Sequence, residues 1–568
     1  VRTISFSDGE ASHDQIFHQH ALYVQDDWKV TRRLTLNLGL RWDANVGSLP
    51  DQTNNRTIKI LQQLNDPFAQ AIVGDTDKLS RKTPSWTEFQ PRVGFAFDPW
   101  GNGKTVIRGG YGIFYDQLFQ NLTIFSLTQS QESIYQQALT LTNSAVGVGQ
   151  LSTFRYGVDP LPTPPAGFNF SNLGVGGFGR INDPDMTDPY IQKFSFGFQT
   201  ELMRGLTLSS DYVHTLGLFE PRVQNINPQI RTVCDPNFLP AGQTPNAVLC
   251  PRGASSRRLD RAFLNAGLPA NRLEQINMIG TTNRSLFDSW TTQLKLRRRS
   301  ILFNASYVLA SSRSWGGQPT ASYSGNGIAI TPQNQFKQEE FGPTRLDERH
   351  RIILSGVVDL PWGFQVAPIL QYSSARPFSP TAGVDLDGDG LATNDRLCEG
   401  SDPVAILQAM RNRPVTIVNT PNGPVQVPVA PSAFIFTLQQ RGCRQTRVNS
   451  QRKGFIVDAN GNITERDGRY FNVDVRVAKD FRFGERFRLS TYVDLYNVFN
   501  TENLAFAGRP ELSPATNTGL NPRAATGGAP ALAAQSGIFL QPVSLFGPGF
   551  GPPVGRPFTM QLGARFTF

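Results

Sequence analysis

The most constraining stretch of this chain is its last thirteen residues, Arg556 to Phe568, which alternate in polarity without a break. Phe558, Met560, Leu562, Ala564, Phe566 and Phe568 point one way, and Thr559, Gln561, Gly563, Arg565 and Thr567 the other. A two-residue period specifies a β-strand with one apolar and one polar face. Such a strand needs neighbours for its backbone and somewhere to put its apolar face.

The same period recurs in pairs of strands joined by very short turns. Residues 16–30 and 33–43 meet at Thr31-Arg32, and in the second arm Leu34, Leu36, Leu38, Leu40 and Trp42 oppose Thr35, Asn37, Gly39, Arg41 and Asp43. Further pairs are expected at 89–99 with 105–116, 190–203 with 206–216, 286–297 with 301–311, 349–360 with 364–375, and 469–482 with 486–499. Adding 556–568 and a partial strand at 1–7 gives about 14 strands, an even number as in bacterial barrels. Between the pairs lie long segments, roughly 45–88, 117–189, 217–285, 312–348, 376–468 and 500–555. Soluble domains rarely carry structureless loops beyond about 12–15 residues. Alternation of tight turns with long loops is instead the pattern of a transmembrane barrel, and the closing strand looks like the terminal strand of a bacterial outer-membrane barrel.

Composition agrees with one large closed sheet. A chain of 568 residues would otherwise divide into domains of roughly 100–200 residues each. Hydrophobic residues make up 39%, mean hydropathy is −0.29, and no run of about 18 apolar residues is present to span a bilayer as a helix. A closed barrel is then the remaining membrane-spanning solution, because open strand edges are not satisfied in lipid. The expected fold class is all-β, an antiparallel transmembrane β-barrel with short periplasmic turns and long extracellular loops. Trp28, Trp100 and Trp362 near short turns, with Trp42 near a long loop, suit two aromatic girdles. The net charge of +9 does not point to nucleic acid: the basic residues are scattered, and their main cluster, Arg297 to Arg299, falls at a turn, where solvent or anionic lipid head groups are the natural partners. No signal peptide opens the chain, which starts mid-pattern at Val1. A processed chain or a portion of a longer one is expected.

Several segments together resemble the C-terminal part of a TonB-dependent receptor, in particular the large Oar-like receptors that carry a carboxypeptidase-regulatory-like domain. The resemblance is carried by Ala21-Leu22-Tyr23-Val24-Gln25-Asp26-Asp27-Trp28, Leu34-Thr35-Leu36-Asn37-Leu38-Gly39-Leu40-Arg41-Trp42, Pro91-Arg92-Val93-Gly94-Phe95-Ala96, Arg108-Gly109-Gly110-Tyr111-Gly112-Ile113-Phe114-Tyr115, Asp494-Leu495-Tyr496-Asn497-Val498-Phe499-Asn500 and the closing strand. It implies a barrel of about 22 strands with a plugged bore, placed in the bacterial outer membrane. It also implies import of a large ligand such as a siderophore, oligosaccharide or peptide. The partners implied are outer-membrane lipid and lipopolysaccharide, the extracellular ligand, and the TonB complex through an N-terminal region. Neither plug nor TonB box is found here, so residues 1–568 read as the C-terminal portion of the barrel domain. The alternative is a surface-exposed structural or adhesion protein without energised transport.

Three groups of residues bear on chemistry. Asp385-Leu386-Asp387-Gly388-Asp389-Gly390 begins like an oxygen-only calcium loop. Arg396 stands where a bidentate Glu would complete an EF-hand, leaving Asn394 and Asp395 to substitute. The candidate ligands are Asp385, Asp387, Asp389 and Asp395, with a plain structural turn as the alternative, and no other cofactor is expected. Cys234 with Cys250, and Cys398 with Cys443, read as two loop disulfides, since CxxC spacing or nearby His for zinc is lacking. By parity Arg41, Asp43, Arg92, Asp98, Arg108, Asp116, Asp474, Arg476, Tyr492, Asp494 and Tyr496 face the bore, to pair with one another or to contact substrate. Catalysis is not expected: His13, His18, His20, His214 and His350 accompany no GxSxG elbow, and His350 reads as a rim hydrogen bond.

Overall fold

A computed structural model describes residues 4–6, 16–118, 139–141, 158, 177–230, 256–269, 272–315, 336–387, 395–411, 414–420, 423–428, 431–457, 463–484, 486–504 and 557–568. Its framework is one antiparallel sheet whose path runs through thirteen strands in chain order. These are β1 (His18–Lys29), β2 (Leu34–Val46), β3 (Glu88–Phe97), β4 (Thr105–Tyr115), β5 (Tyr190–Met203), β6 (Leu206–Asn225) and β7 (Leu273–Arg298). They continue as β8 (Ile301–Trp315), β9 (His350–Leu360), β10 (Phe364–Ser373), β11 (Tyr470–Phe483), β12 (Phe487–Tyr496) and β13 (Thr559–Thr567).

The alternation in sequence becomes a wall with two chemically distinct faces. Leu34 pairs with Phe97, Leu38 with Val93 and Trp42 with Phe89, while Thr35 pairs with Ala96 and Asp43 with Glu88. A slip of one residue would exchange the two sets, so the pattern itself fixes the register. Among the described residues the apolar face is left uncovered by protein: Leu22 and Leu562 are each 69% exposed. An apolar surface of this extent demands a non-aqueous surrounding.

Short turns join the hairpins at one rim. Gly101 and Gly103, at φ 68° and 71°, adopt the left-handed backbone open cheaply to glycine. Asp98 caps this turn, accepting from the backbone N–H groups of Trp100 (3.2 Å), Gly101 (2.8 Å) and Gly103 (2.7 Å). These bonds hold its carboxyl below the usual carboxylate range. Asp98, placed on the bore side by parity, thus serves as a turn cap.

Two strands depart from expectation. β6 and β7 hold 20 and 26 residues, so residues 217–225 and 273–285, read as loop, continue the ladder. A strand crossing tilted through hydrocarbon needs only about 9–11 residues. The excess rises beyond the wall, where Gly177–Asn182 adds in parallel to β7. There both faces of β7 are covered, which removes the polar-apolar contrast that makes a strand readable. At the chain start, Ile4–Phe6 pairs with Leu139–Leu141 in a separate two-stranded sheet. It is not the wall strand expected at 1–7, and among the described residues the path holds thirteen strands, beside the expectation of about 14 for the chain.

The buried apolar core lies in the segments between hairpins. One cap contains helices α1 (Arg56–Gln62), α2 (Pro67–Val73), α3 (Thr76–Ser80) and α4 (Asp260–Asn265). Asn55 and Asp75 cap the starts of α1 and α3, and Asp66 caps α2 through Ala69 N–H with Pro67 in its first turn. Ile58, Leu61, Val73, Leu79 and Phe263 pack against Ile181, Ile226 and Ile276 of the extended sheet. A second cap, with helices α5 (Pro403–Arg411) and α6 (Pro431–Leu438), buries Phe378, Ala382, Leu386, Leu397, Ile435 and Phe455.

Candidate functional site

Each strand sends alternate residues to the polar face, and the register gathers the charged ones into pairs. Arg41 reaches Asp43 on its own strand at 2.9 Å. Arg108 binds Asp211 through two N–H groups, at 3.0 and 2.8 Å, across the intervening Gly197. Arg476 holds Asp494 in the same forked manner at 2.6 and 2.8 Å while its guanidinium lies 4.5 Å from the centre of the Tyr492 ring. Forked pairing fixes both direction and plane. Tyr492 in turn lies over Gly563, leaving no room for a side chain at that position. Asp474 accepts from Asn497 N–H at 2.8 Å, and Arg92 donates to Gln90 at 3.1 Å with its guanidinium 4.4 Å from the Phe114 ring centre. All the residues assigned by parity in these strands therefore share one face, and their charges are largely matched in place.

The second cap holds the acidic loop. Carboxylate oxygens of Asp385, Asp387 and Asp395 lie within 4.8 Å of one another. Asp395 is fully buried, accepting from Leu386 N–H at 2.9 Å and from the Gln445 side chain. Burial first, then the neighbouring Asp387, pushes its carboxyl up to about 8. An all-oxygen acidic donor set suits a hard cation such as calcium. Asp389 and Asn394 lie outside the described residues. The Arg396 side chain joins a buried triad, in which Arg396 and Arg222 contact different oxygens of Glu340 at 2.9 and 3.5 Å. The triad ties the extended β6 to the second cap.

Cys398 and Cys443 form a disulfide across this cap, with Cα atoms 5.7 Å apart. Cys234 and Cys250 fall outside the described residues, as do His13 and Asp389. His350 is hydrogen-bonded to the Tyr307 hydroxyl at 2.9 Å, on the apolar face near the cap end of the wall.

Sequence reasoning missed two features. On the apolar face, Asp288 receives the Tyr212 hydroxyl at 2.8 Å and pairs with His214 at 2.7 Å and Arg313 at 3.8 Å. A carboxylate at an apolar-parity position was the available signal. Beneath the first cap, Asp188 accepts from Asn45 at 2.8 Å and Leu118 N–H at 3.2 Å, and burial raises its carboxyl. Nothing local in the sequence marks it, because its partner Asn45 is 143 residues away.

A family model described as an outer membrane beta barrel domain matches residues 1–528. The TonB-dependent transporter Oar of Myxococcus xanthus is 23% identical over 202 residues, which is 34% of this chain and 16% of that protein. Among solved structures, the outer membrane transporter YddB from Escherichia coli matches with a TM-score of 0.39 at 12% identity, over 86% of this chain and 42% of that one. The siderophore receptor PirA from Acinetobacter baumannii matches with a TM-score of 0.38 at 10% identity, over 89% of this chain and 45% of that one. The chain spans less than half the length of each of these relatives.

Proposed function

This chain belongs to the outer-membrane β-barrel family, and on that premise we propose that its wall bounds the bore of a TonB-dependent receptor that captures and imports a large ligand. It resides in the bacterial outer membrane. The observation that carries the reading is the polar face with its locally matched ion pairs, set beneath two caps that have cores of their own. Capture is assigned to the caps and passage to the polar face, and the chemistry is binding without bond-breaking. The ligand is a siderophore, oligosaccharide or peptide, and the TonB complex engages through a region outside this chain. Uptake of radiolabelled candidates by cells carrying the full-length receptor, with and without the proton-motive force, tests this. Energy-dependent accumulation is the expected result. Surface binding without accumulation in either condition would favour the adhesion reading instead.

We also propose that Asp385, Asp387 and Asp395 bind calcium and thereby fix the second cap. Terbium luminescence displaced by calcium is the expected signal, lost in Asp385→Asn/Asp387→Asn. An unchanged signal in that variant would end the proposal.

A further inference from the structure

On the polar face near β1 to β5, glycines make a depression in the wall. Gly39, Gly94, Gly110 and Gly112 lie within a recess of about 320 Å³. Gly94 has only ordinary contacts around it, the nearest atom being 3.5 Å from where a Cβ would sit. At Gly112 a Cβ would come within 2.9 Å of the Phe114 ring and 3.3 Å of Arg92. Glycine there is what allows Arg92 and Phe114 to lie down across the strand.

Two cations frame this floor. Arg92 and Lys193 are the register partners of Gly112 on its two sides. Strands are spaced about 4.8 Å apart, so the two backbones stand about 10 Å from each other across Gly112, over which the Phe114 ring lies. Their long side chains can close on one guest. Of the carboxylates on this part of the face, Asp211 is engaged by Arg108, Asp43 by Arg41 and Asp27 by the Asn37 amide at 2.6 Å, while Glu88 is buried at the cap end of β3. Among the described residues, the Arg92 guanidinium hydrogen-bonds Gln90 and lies against Phe114 without an ion pair, and Lys193 has no hydrogen bond or ion pair. Ser195 and Asn37 add neutral donors to the lining.

We propose that this recess is an anion station on the inner wall, which receives a carboxylate or phosphate group between Arg92 and Lys193. A guanidinium and an ammonium on either side of a glycine-rich floor, with the Phe114 ring beside them, offer forked and point-charge contacts to one oxyanion. The inference rests on the polar face bounding a passage, but not on any particular ligand or on energised transport. Loss of uptake with anion binding intact would therefore sink only the transport reading.

The test uses the chain in detergent micelles with inorganic phosphate as probe, read by calorimetry. Saturable binding is expected, weakened at least tenfold in Arg92→Gln/Lys193→Gln. Gly94→Leu keeps both charges and fills the floor, and it should weaken binding to the same extent with an unchanged circular dichroism spectrum. Lys295→Gln removes a cation elsewhere on the same face and should leave binding unchanged. Equal losses in Lys295→Gln and the double variant would mean a diffuse positive potential and overturn the station, as would wild-type binding by Gly94→Leu. Repeating the titration on full-length receptor separates the two sources of the anion. Binding there as well assigns the station to groups arriving with a ligand, whereas binding by the chain alone assigns it to an acidic side chain from elsewhere in the receptor.

Discussion

The wall and the caps use apolar residues in opposite ways. In the wall, Val93 is 49% exposed at the middle of β3, and in the first cap Phe263 is wholly buried. Both positions are satisfied, because the wall meets hydrocarbon and the cap meets water. The lesson is that burial within the protein measures stability only in the caps. In the wall, backbone pairing and the surrounding lipid carry that load.

The comparison can be broken at either side. The largest effect is expected from Phe263→Ala, at about 3–5 kcal/mol, felt as local loss of protection in α1 to α4 by hydrogen exchange while β1 to β5 stay protected. Loss of protection throughout would show that cap and wall are not separate. Next comes Val93→Arg, expected to cost about 2–4 kcal/mol in refolding into bilayers. A cost under about 0.5 kcal/mol would place this position outside the hydrocarbon.

A third, intermediate effect concerns pH. The folded carboxyl of Asp395 lies above its unfolded value of 3.8, near 8, so its protonated form contributes stability that is full below about pH 4 and lost as pH rises through about 8. Thermal unfolding of the second cap should therefore fall in temperature over that window, and calcium should reverse the fall. A cap whose melting ignores both pH and calcium contradicts the assignment. The smallest effect is expected at the α2 cap, where Asp66→Ala should cost about 1 kcal/mol, seen as fraying of α2 with no change in the second cap.

Much of the wall was legible because its two faces meet different media. The strand expected at 105–116 is found at Thr105–Tyr115, and that expected at 469–482 at Tyr470–Phe483. The outer half of β7 was not, because Ile276 and Asn277 are both buried on its opposite faces. The helices of the caps were hidden in segments read only by length. At the acidic loop, residue types were readable but not the buried Asp395, whose partner Gln445 lies 50 residues further on. The glycine floor escaped notice because glycine interrupts a pattern without announcing what it makes room for.

The long ladder between β6 and β7 carries one flaw, and it has a mechanical meaning. Register shifts fall between Gly280 and Ser285, opposite Phe219, a non-glycine residue held at φ 55°. Below that level β7 is a continuous rung-by-rung lattice with β8, and above it the same strand carries the first cap. Glu220 accepts from Asn283 and Ser285 at this height, and because an irregular ladder bends and twists more than a regular one, it is the level at which the strand pair can turn from wall to cap.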